Sequence, residues 1–458
     1  MTAAFPSQPI PGTPRAYRFP HTTRDRLAGG TRLVIATIPK VPIVTVSIVL
    51  HRAGAESDPA GREGLAELTA AMLHEGTVTM DAAALAENFE GLGAAFTATT
   101  DWSATVVSLS VQPERMSKAM NALREVLRAP AYPESELLRL RSEHEAARMQ
   151  LAADPRSLGD AAFAWSCYDG RSRYRRPRGG TLASVGAITR DDVMSFWRER
   201  YTPAAMTVVI AGDLSSERGM RVAETLVDSW GIRAPAPAAF TTHPREHATS
   251  VTHVEKSDAA QAEIRVGHVS VPRMHEDFFP LTVMNAILGG LFSSRINLNL
   301  RERHGYTYGA SSGFDWRAEA GPWVVTSAVK TEVTAPAIRE ILGEVERMRT
   351  SPVSADELEL ASNYLVGVFP LRYETTSAVS DALAAQAIFG LPEDYFDSYR
   401  ERIAHITPRD VLRVAAAHLH PDQFQIVVVG TPELQAALIA LEQGPVRSCQ
   451  PNDVEAAK

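Results

Sequence analysis

Apolar, β-branched runs recur along the chain at 33–38, 43–50 and 104–111, and again at 263–269 and 323–329. Runs of this length and composition read as strands. Helical periodicity lies between them. Leu123-Arg124-Glu125-Val126-Leu127 resembles Ile338-Arg339-Glu340-Ile341-Leu342, and Glu136-Leu137 resembles Glu357-Leu358. Each of these segments predicts an amphipathic helix, a proline-containing turn and a second helix. Strands joined by hairpin-length gaps and by helices predict an α+β protein whose sheets are largely antiparallel or mixed and are packed with helices.

The pattern repeats. ITRDDVMSFWRERYTPAAMTVVIAG at 188–212 aligns without a gap on ITPRDVLRVAAAHLHPDQFQIVVVG at 406–430, an offset of 218 residues. Ile188/Ile406, Thr189/Thr407, Asp192/Asp410, Val193/Val411, Pro203/Pro421, Val209/Val427 and Gly212/Gly430 are identical pairs. In each copy the threonine is suited to cap a short helix with aspartate in its first turn. A proline then breaks the chain, and a β-branched run (207–210, 425–429) makes a buried strand. The expected organisation is two homologous domains, 30–230 and 251–440. A Pro/Ala-rich linker at 231–250 joins them, with an N-terminal extension at 1–29 and a polar tail at 441–458.

Composition narrows the class. With 46 basic and 54 acidic side chains the formal charge is −8, and a pI near 5.9 argues against a nucleic-acid-binding surface. The basic run at 171–180 reads as a solvated loop that could also touch acidic surface on a partner or a peptide. Two cysteines exclude a disulfide scaffold and a Cys-based zinc ribbon. Cys167 reads as a packing residue, and Cys449 as an exposed thiol in a disordered tail. Prolines and arginines interrupt every apolar stretch of residues 1–30, so neither a secretory leader nor a membrane span is expected. The expected location is the cytoplasm, with the periplasm left open.

Residues 61–77, GREGLAELTAAMLHEGT, carry a frame of Gly64-Leu65-Ala66, Met72-Leu73 and Gly76-Thr77. This frame resembles the active-site helix of the insulinase/pitrilysin (M16) zinc peptidases. Peptide-cleaving members read approximately G-L-A-H-x-x-E-H-M-L-x-x-G-T. There, two histidines bind zinc and the glutamate activates water. Here Glu67 stands at the first histidine, Ala70 at the base glutamate and Ala71 at the second histidine. Glu143 or Glu145 falls near the family's third ligand. His74-Glu75, His144-Glu145 and His275-Glu276 each lack the second histidine of a His-Glu-x-x-His motif, because Val78, Arg148 and Phe279 stand there. The remaining histidines read as scattered, so no zinc site is expected within the chain.

The second half keeps its signature. NAILGGLFSSRINLNLRERHGYTYGASSG at 285–313 resembles the family's second-domain pattern at Leu288-Gly289-Gly290, Ser293-Ser294-Arg295, Leu300-Arg301-Glu302, Gly305 and Tyr308. The resemblance assigns Arg301 and Tyr308 to peptide binding and transition-state stabilisation, facing a zinc across a chamber. Chemically, a planar guanidinium fork and a phenolic hydroxyl suit a peptide carbonyl and its oxyanion. The other readings are a solvated arginine and a half-buried strand tyrosine. Gly289 and Gly290 read both as a helix end with a turn and as a loop that admits a peptide backbone.

The resemblance implies the metallohydrolase fold shared by LuxS and the mitochondrial processing peptidase. It also implies a non-catalytic subunit of a heterodimer. That subunit binds no cofactor itself, and zinc sits in a partner carrying His-x-x-Glu-His. The expected substrates are unfolded peptides; nucleic acid and membrane are not expected partners. Three other readings stand beside this one: a self-sufficient zinc peptidase with unorthodox ligands, a core-type scaffold subunit, and a module that holds peptides without cutting them.

Overall fold

A computed structural model describes residues 16–231, 242–245 and 248–455. Most of the segment read as a linker, and the first half of the N-terminal extension, lie outside the described residues.

Two six-stranded mixed sheets form the framework. The first contains β1 (Thr22–Arg26), β2 (Arg32–Thr37), β3 (Val44–His51), β4 (Ala95–Thr100), β5 (Ala104–Val111) and β6 (Met206–Gly212), in the order β1-β2-β6-β3-β5-β4. The second contains β7 (Ser250–Glu255), β8 (Ala262–Val269), β9 (Ala310–Phe314), β10 (Pro322–Val329), β11 (Gln425–Gly430) and β12 (Val446–Cys449), in the order β12-β7-β11-β8-β10-β9. The five strands from β2 to β6 and the five from β7 to β11 occupy the same places in the two orders. The central pair β2–β6 is parallel, as is β7–β11, while β3 and β8 pair antiparallel on both sides. The predicted α+β architecture is therefore present, with the same parallel pair inside each sheet.

The repeated helix–strand unit forms as its residues dictate. Thr189 Oγ1 accepts the N–H of Asp192, and the Asp192 carboxylate accepts the N–H of Thr189 at 2.9 Å. Thr407 and Asp410 make the same capping box at 3.0 Å. Each box satisfies two otherwise unpaired donors at a helix start. Pro203 and Pro421 then open short 3₁₀ turns that lead into β6 and β11.

The sixth strand has a different origin in each sheet. β1 comes from the stretch before residue 30 and pairs antiparallel with β2. Just ahead of it Phe19 stacks on Phe396 at 4.3 Å, so this stretch bridges both halves. β12 comes from the stretch after residue 440 and pairs parallel with β7. Residues 446–455 therefore correct the expectation of a disordered tail. Cys449 is only 6% exposed, and Cys449 and Val454 pack in the cluster of Leu158 and Phe163. Backbone pairing docks this polar segment, and hydropathy carries no trace of backbone pairing.

The halves exchange helices. The Pro155–Cys167 helix of the first half packs on β8 and β11 of the second sheet. The Thr376–Phe389 helix of the second half packs on β3 and β6 of the first. Small residues let the helices approach: Ser380 Oγ donates to Ser47 Oγ at 2.8 Å, and Ala384 packs with Val49 and Ala104. Arg265 on β8 is the polar centre of the other contact, with a side chain 2% exposed. Its Nε donates to Asp160 Oδ1 at 2.6 Å, its Nη1 to Glu263 Oε2 at 2.8 Å and its Nη2 to the Arg156 carbonyl at 2.9 Å.

Breaking a buried ion pair from one side strands a charge and typically costs about 3–5 kcal/mol. Arg265→Ala leaves the mostly buried Glu263 without its cation, and a loss of stability of about that size is expected in urea denaturation.

Candidate functional site

The signature segment is built from interrupted helices. The Phe278–Asn285 helix runs into a π-helical turn at Ala286–Gly290, and a short helix at Arg295–Asn297 runs into a second π-helical turn at Leu298–Arg303. Such turns widen the helix by one residue and re-aim the side chains that follow. The segment stops at Gly305, where φ is +64°. There the N–H of Tyr306 returns to the Leu300 carbonyl at 2.8 Å and that of Gly305 to Arg301 at 3.2 Å. Glycine takes this left-handed position without steric cost.

Packing on β9 fixes the segment. A Cβ on Gly289 would lie 2.3 Å from Ser312 Oγ and 2.6 Å from the Ser312 amide nitrogen, so only glycine fits. Gly289 and Gly290 are thus the last two residues of this helical turn, and Gly289 is in addition a close-packing residue. Asn285 Nδ2 donates to the Ser312 carbonyl at 3.1 Å, and its Oδ1 accepts from Ser312 Oγ and Trp323 Nε1. Asn297 Oδ1 accepts the Ala310 N–H at 3.1 Å while its Nδ2 donates to the Phe292 carbonyl at 2.7 Å. These two asparagines were not singled out from the sequence. Polar amides inside an otherwise apolar run were the available signal.

A bidentate pair holds the far side. Arg295 donates to both oxygens of Glu357 at 2.6 and 2.9 Å, and Glu357 also closes the capping box of Ser354. The Arg295 guanidinium holds the Glu357 carboxyl down at about 2, against an ordinary 4.5.

Arg301 and Tyr308 line one cleft of about 570 Å³, together with Gly289, Gly290 and Phe292. Arg156, from the exchanged helix of the first half, lines it as well. The Arg301 guanidinium lies 4.7 Å over the Phe292 ring, and its Nε faces Glu302 Oε1 at 3.2 Å. Tyr308 is 91% exposed. Among the described residues the Nη groups of Arg301 and the hydroxyl of Tyr308 donate no hydrogen bond, so these donors remain available to a ligand.

The first-half positions differ in kind. Glu67, Ala70 and Ala71 lie on the Leu65–Ala71 helix, with Ala70 fully buried. The Asp58 carboxylate anchors the start of this helix by accepting the N–H groups of Gly64 at 2.7 Å and Ala66 at 2.8 Å. Burial pushes the Asp58 carboxyl up to about 6, opposed by Arg173 and by those two N–H groups. Glu67 faces Arg178 at 3.9 Å. Glu143 pairs with Arg139 at 2.8 Å, and Glu145 abuts Gly186.

Zinc needs several converging lone pairs. Two alanines and one carboxylate beside a guanidinium do not supply them, so these residues do not fit the metal. Among the described residues one group of three or more metal-type side chains converges, His275, Asp277 and His418, and none of the first-half positions belongs to it. His275 reads in the sequence as the start of an incomplete His-Glu-x-x-His motif and His418 as one of the scattered histidines; the fold brings them together.

The 171–180 run also departs from its reading as a solvated loop. Arg173 pairs with Asp58 at 3.0 Å, Arg176 with Glu63 at 3.4 Å and Arg178 with Asp101 at 3.3 Å, while Tyr174 is fully buried. The acidic partners lie far away in sequence, so the run itself gives no sign of them. No helix among the described residues is long and apolar enough to cross a membrane.

Residues 32–163 match the profile of the family described as Insulinase (Peptidase family M16), and residues 187–365 match that described as Peptidase M16 inactive domain. Together the matches cover more than half of the chain, which therefore belongs to the M16 peptidase (insulinase) family. An uncharacterized zinc protease of Streptomyces coelicolor is 25% identical over 400 residues, 86% of either chain. One of Mycobacterium tuberculosis is 25% identical over 429 residues, 92% of this chain and 95% of the relative. A crystal structure described as a peptidase M16 inactive domain from Pseudomonas fluorescens superposes with a TM-score of 0.84 at 24% identity, over 90% of this chain and 98% of that one. A protease from Helicobacter pylori also superposes at 0.84, with 18% identity, over 90% of this chain and 100% of that one. Both share the fold.

Two outcomes test the site's construction. Gly289→Ala forces a Cβ into Ser312, and overpacking of this kind costs about 1–3 kcal/mol, measurable by thermal denaturation. The Arg295–Glu357 pair contributes stability that is full above the unfolded carboxyl value of 4.5 and is lost as pH falls towards 2. The stability difference between wild type and Glu357→Gln should therefore shrink as pH falls from about 4.5 towards about 2 in urea titrations.

Proposed function

We propose that this chain is the non-catalytic subunit of a heterodimeric M16-type zinc peptidase. The observation that carries the proposal is the contrast between the halves. Arg301 and Tyr308 share a cleft and have unspent donors, whereas Glu67, Ala70 and Ala71 offer no metal-binding set. A partner carrying His-x-x-Glu-His would supply the zinc and the general base.

This chain's residues would bind and orient. The Arg301 guanidinium and the Tyr308 hydroxyl donate to a peptide carbonyl oxygen and hold it more tightly as negative charge develops there. Phe292 holds the guanidinium by its ring face. Gly289, packed on β9, fixes the distance of the segment from the sheet. Substrates would be unfolded peptides, since a chamber shared between two subunits admits extended chains and excludes folded domains. The naming of related chains as zinc proteases supports the reaction class.

Peptide hydrolysis by the chain alone and with its partner is the decisive measurement. The chain alone should hydrolyse no peptide at any zinc concentration, and mixing with the partner should restore turnover. In the complex, Arg301→Ala and Tyr308→Phe should each lower kcat/KM by about 100- to 1,000-fold, with the heterodimer intact on gel filtration. Hydrolysis by the isolated chain, or unchanged turnover in both variants, would overturn the proposal. Peptide binding by the isolated chain with no hydrolysis in any mixture would favour a peptide-holding module instead.

A further inference from the structure

We infer that His275, Asp277 and His418 form a site for a divalent transition-metal ion such as zinc, separate from the Arg301 cleft. The site joins two elements of the second half. His275 and Asp277 lie in the turn that leads into the Phe278–Asn285 helix, and His418 ends the Pro408–His418 helix packed against it. One ligand atom from each of the three residues lies within 4.8 Å of the other two.

The geometry suits a metal for three reasons. First, the donor chemistry is right: two imidazoles and a carboxylate form a common zinc set that leaves a fourth position for water. Second, the imidazoles converge. His418 Nε2 is 2.7 Å from Asp277 Oδ2, and the rings of His275 and His418 lie 5.0 Å apart at 82°. His275 already turns the lone pair of Nδ1 towards Asp277, whose N–H it accepts at 3.1 Å. A metal would take the place of the proton between His418 and Asp277, with the His275 ring held beside them by its contact to the Asp277 N–H.

Third, the carboxylate has its own support. Arg413 donates through Nη2 to Asp277 Oδ1 at 2.6 Å and through Nη1 to Oδ2 at 3.1 Å. Arg413 therefore balances the charge of Asp277 from outside the histidine pair. In the metal-bound site Arg413 would stay on Oδ1 and hold the carboxylate in place, a role that outer partners commonly play around ligating groups. Asp277 is buried, while His275 and His418 are half-buried, which gives an ion a path from solvent. Bound there, the ion would clamp the turn at 275–277 to the end of the repeated 408–418 helix.

Cobalt(II) and zinc(II) titrations of the full chain test the site. Wild type should bind one equivalent of cobalt with visible d–d absorption, and zinc should displace it. The melting temperature should rise with zinc concentration. His275→Ala and His418→Ala should each weaken binding at least tenfold and abolish the thermal shift. Glu67→Ala should leave both unchanged. Circular dichroism of the metal-free variants checks folding, and His275→Gln and His418→Gln replace any alanine variant that fails that check. Absence of saturable one-to-one binding overturns the inference, as does binding that survives loss of both histidines or that depends on Glu67. Turnover of the complex should be unaffected by His418→Ala, so the outcome here is independent of the peptidase proposal.

Discussion

Each sheet has a face that the other half of the chain must cover. The Pro155–Cys167 helix lies on the second sheet and the Thr376–Phe389 helix on the first. Neither half therefore buries its own apolar surface completely, and exposing such a face to water would forfeit much of the stabilisation that folding gains. Arg265 adds a directional element: its hydrogen bonds reach Arg156 and Asp160 of the exchanged helix and Glu263 and Ile264 on its own strand. The same helix carries Arg156 to the wall of the Arg301 cleft. The exchange thus sets the mutual position of the halves and completes the site.

The two halves share a scaffold and differ in their chemistry. The strand orders correspond, and the capping boxes at Thr189 and Thr407 match atom for atom. On the first-half helix, buried Asp58 and the arginines of 171–180 tie down the backbone around Gly64 and Glu67. On the second half, two π-helical turns and two asparagines position a cleft with free donors. One half has invested its polar groups in holding itself together, and the other has kept them available.

What the sequence reveals follows from what buries side chains. The runs at 33–38, 43–50, 207–210 and 425–429 fall on β2, β3, β6 and β11, strands near the middle of their sheets, where both faces are covered. β1 (TTRDR), β4 (AFTATT), β9 (ASSGF) and β12 (VRSC) are edge strands, polar or small in composition, and the backbone ladder holds them. That Arg301 and Tyr308 line one cleft was legible because both residues lie in one contiguous segment. The ion pairs of Arg173, Arg176 and Arg178 were not, since their partners Asp58, Glu63 and Asp101 are about a hundred residues away and only the fold makes them neighbours. His275 and His418 were hidden for the same reason.

The asparagines that seat the signature segment also change the social behaviour of the second sheet. β9 ends that sheet, and an unpaired edge is a template on which another chain can add a strand. Asn297 occupies the amide of Ala310 and Asn285 the carbonyl of Ser312, two residues apart on the outward side of β9. Side-chain amides so placed mimic the donors and acceptors of a missing neighbour. The signature segment thus occupies two backbone groups that an added strand would need, while the cleft beside it stays open.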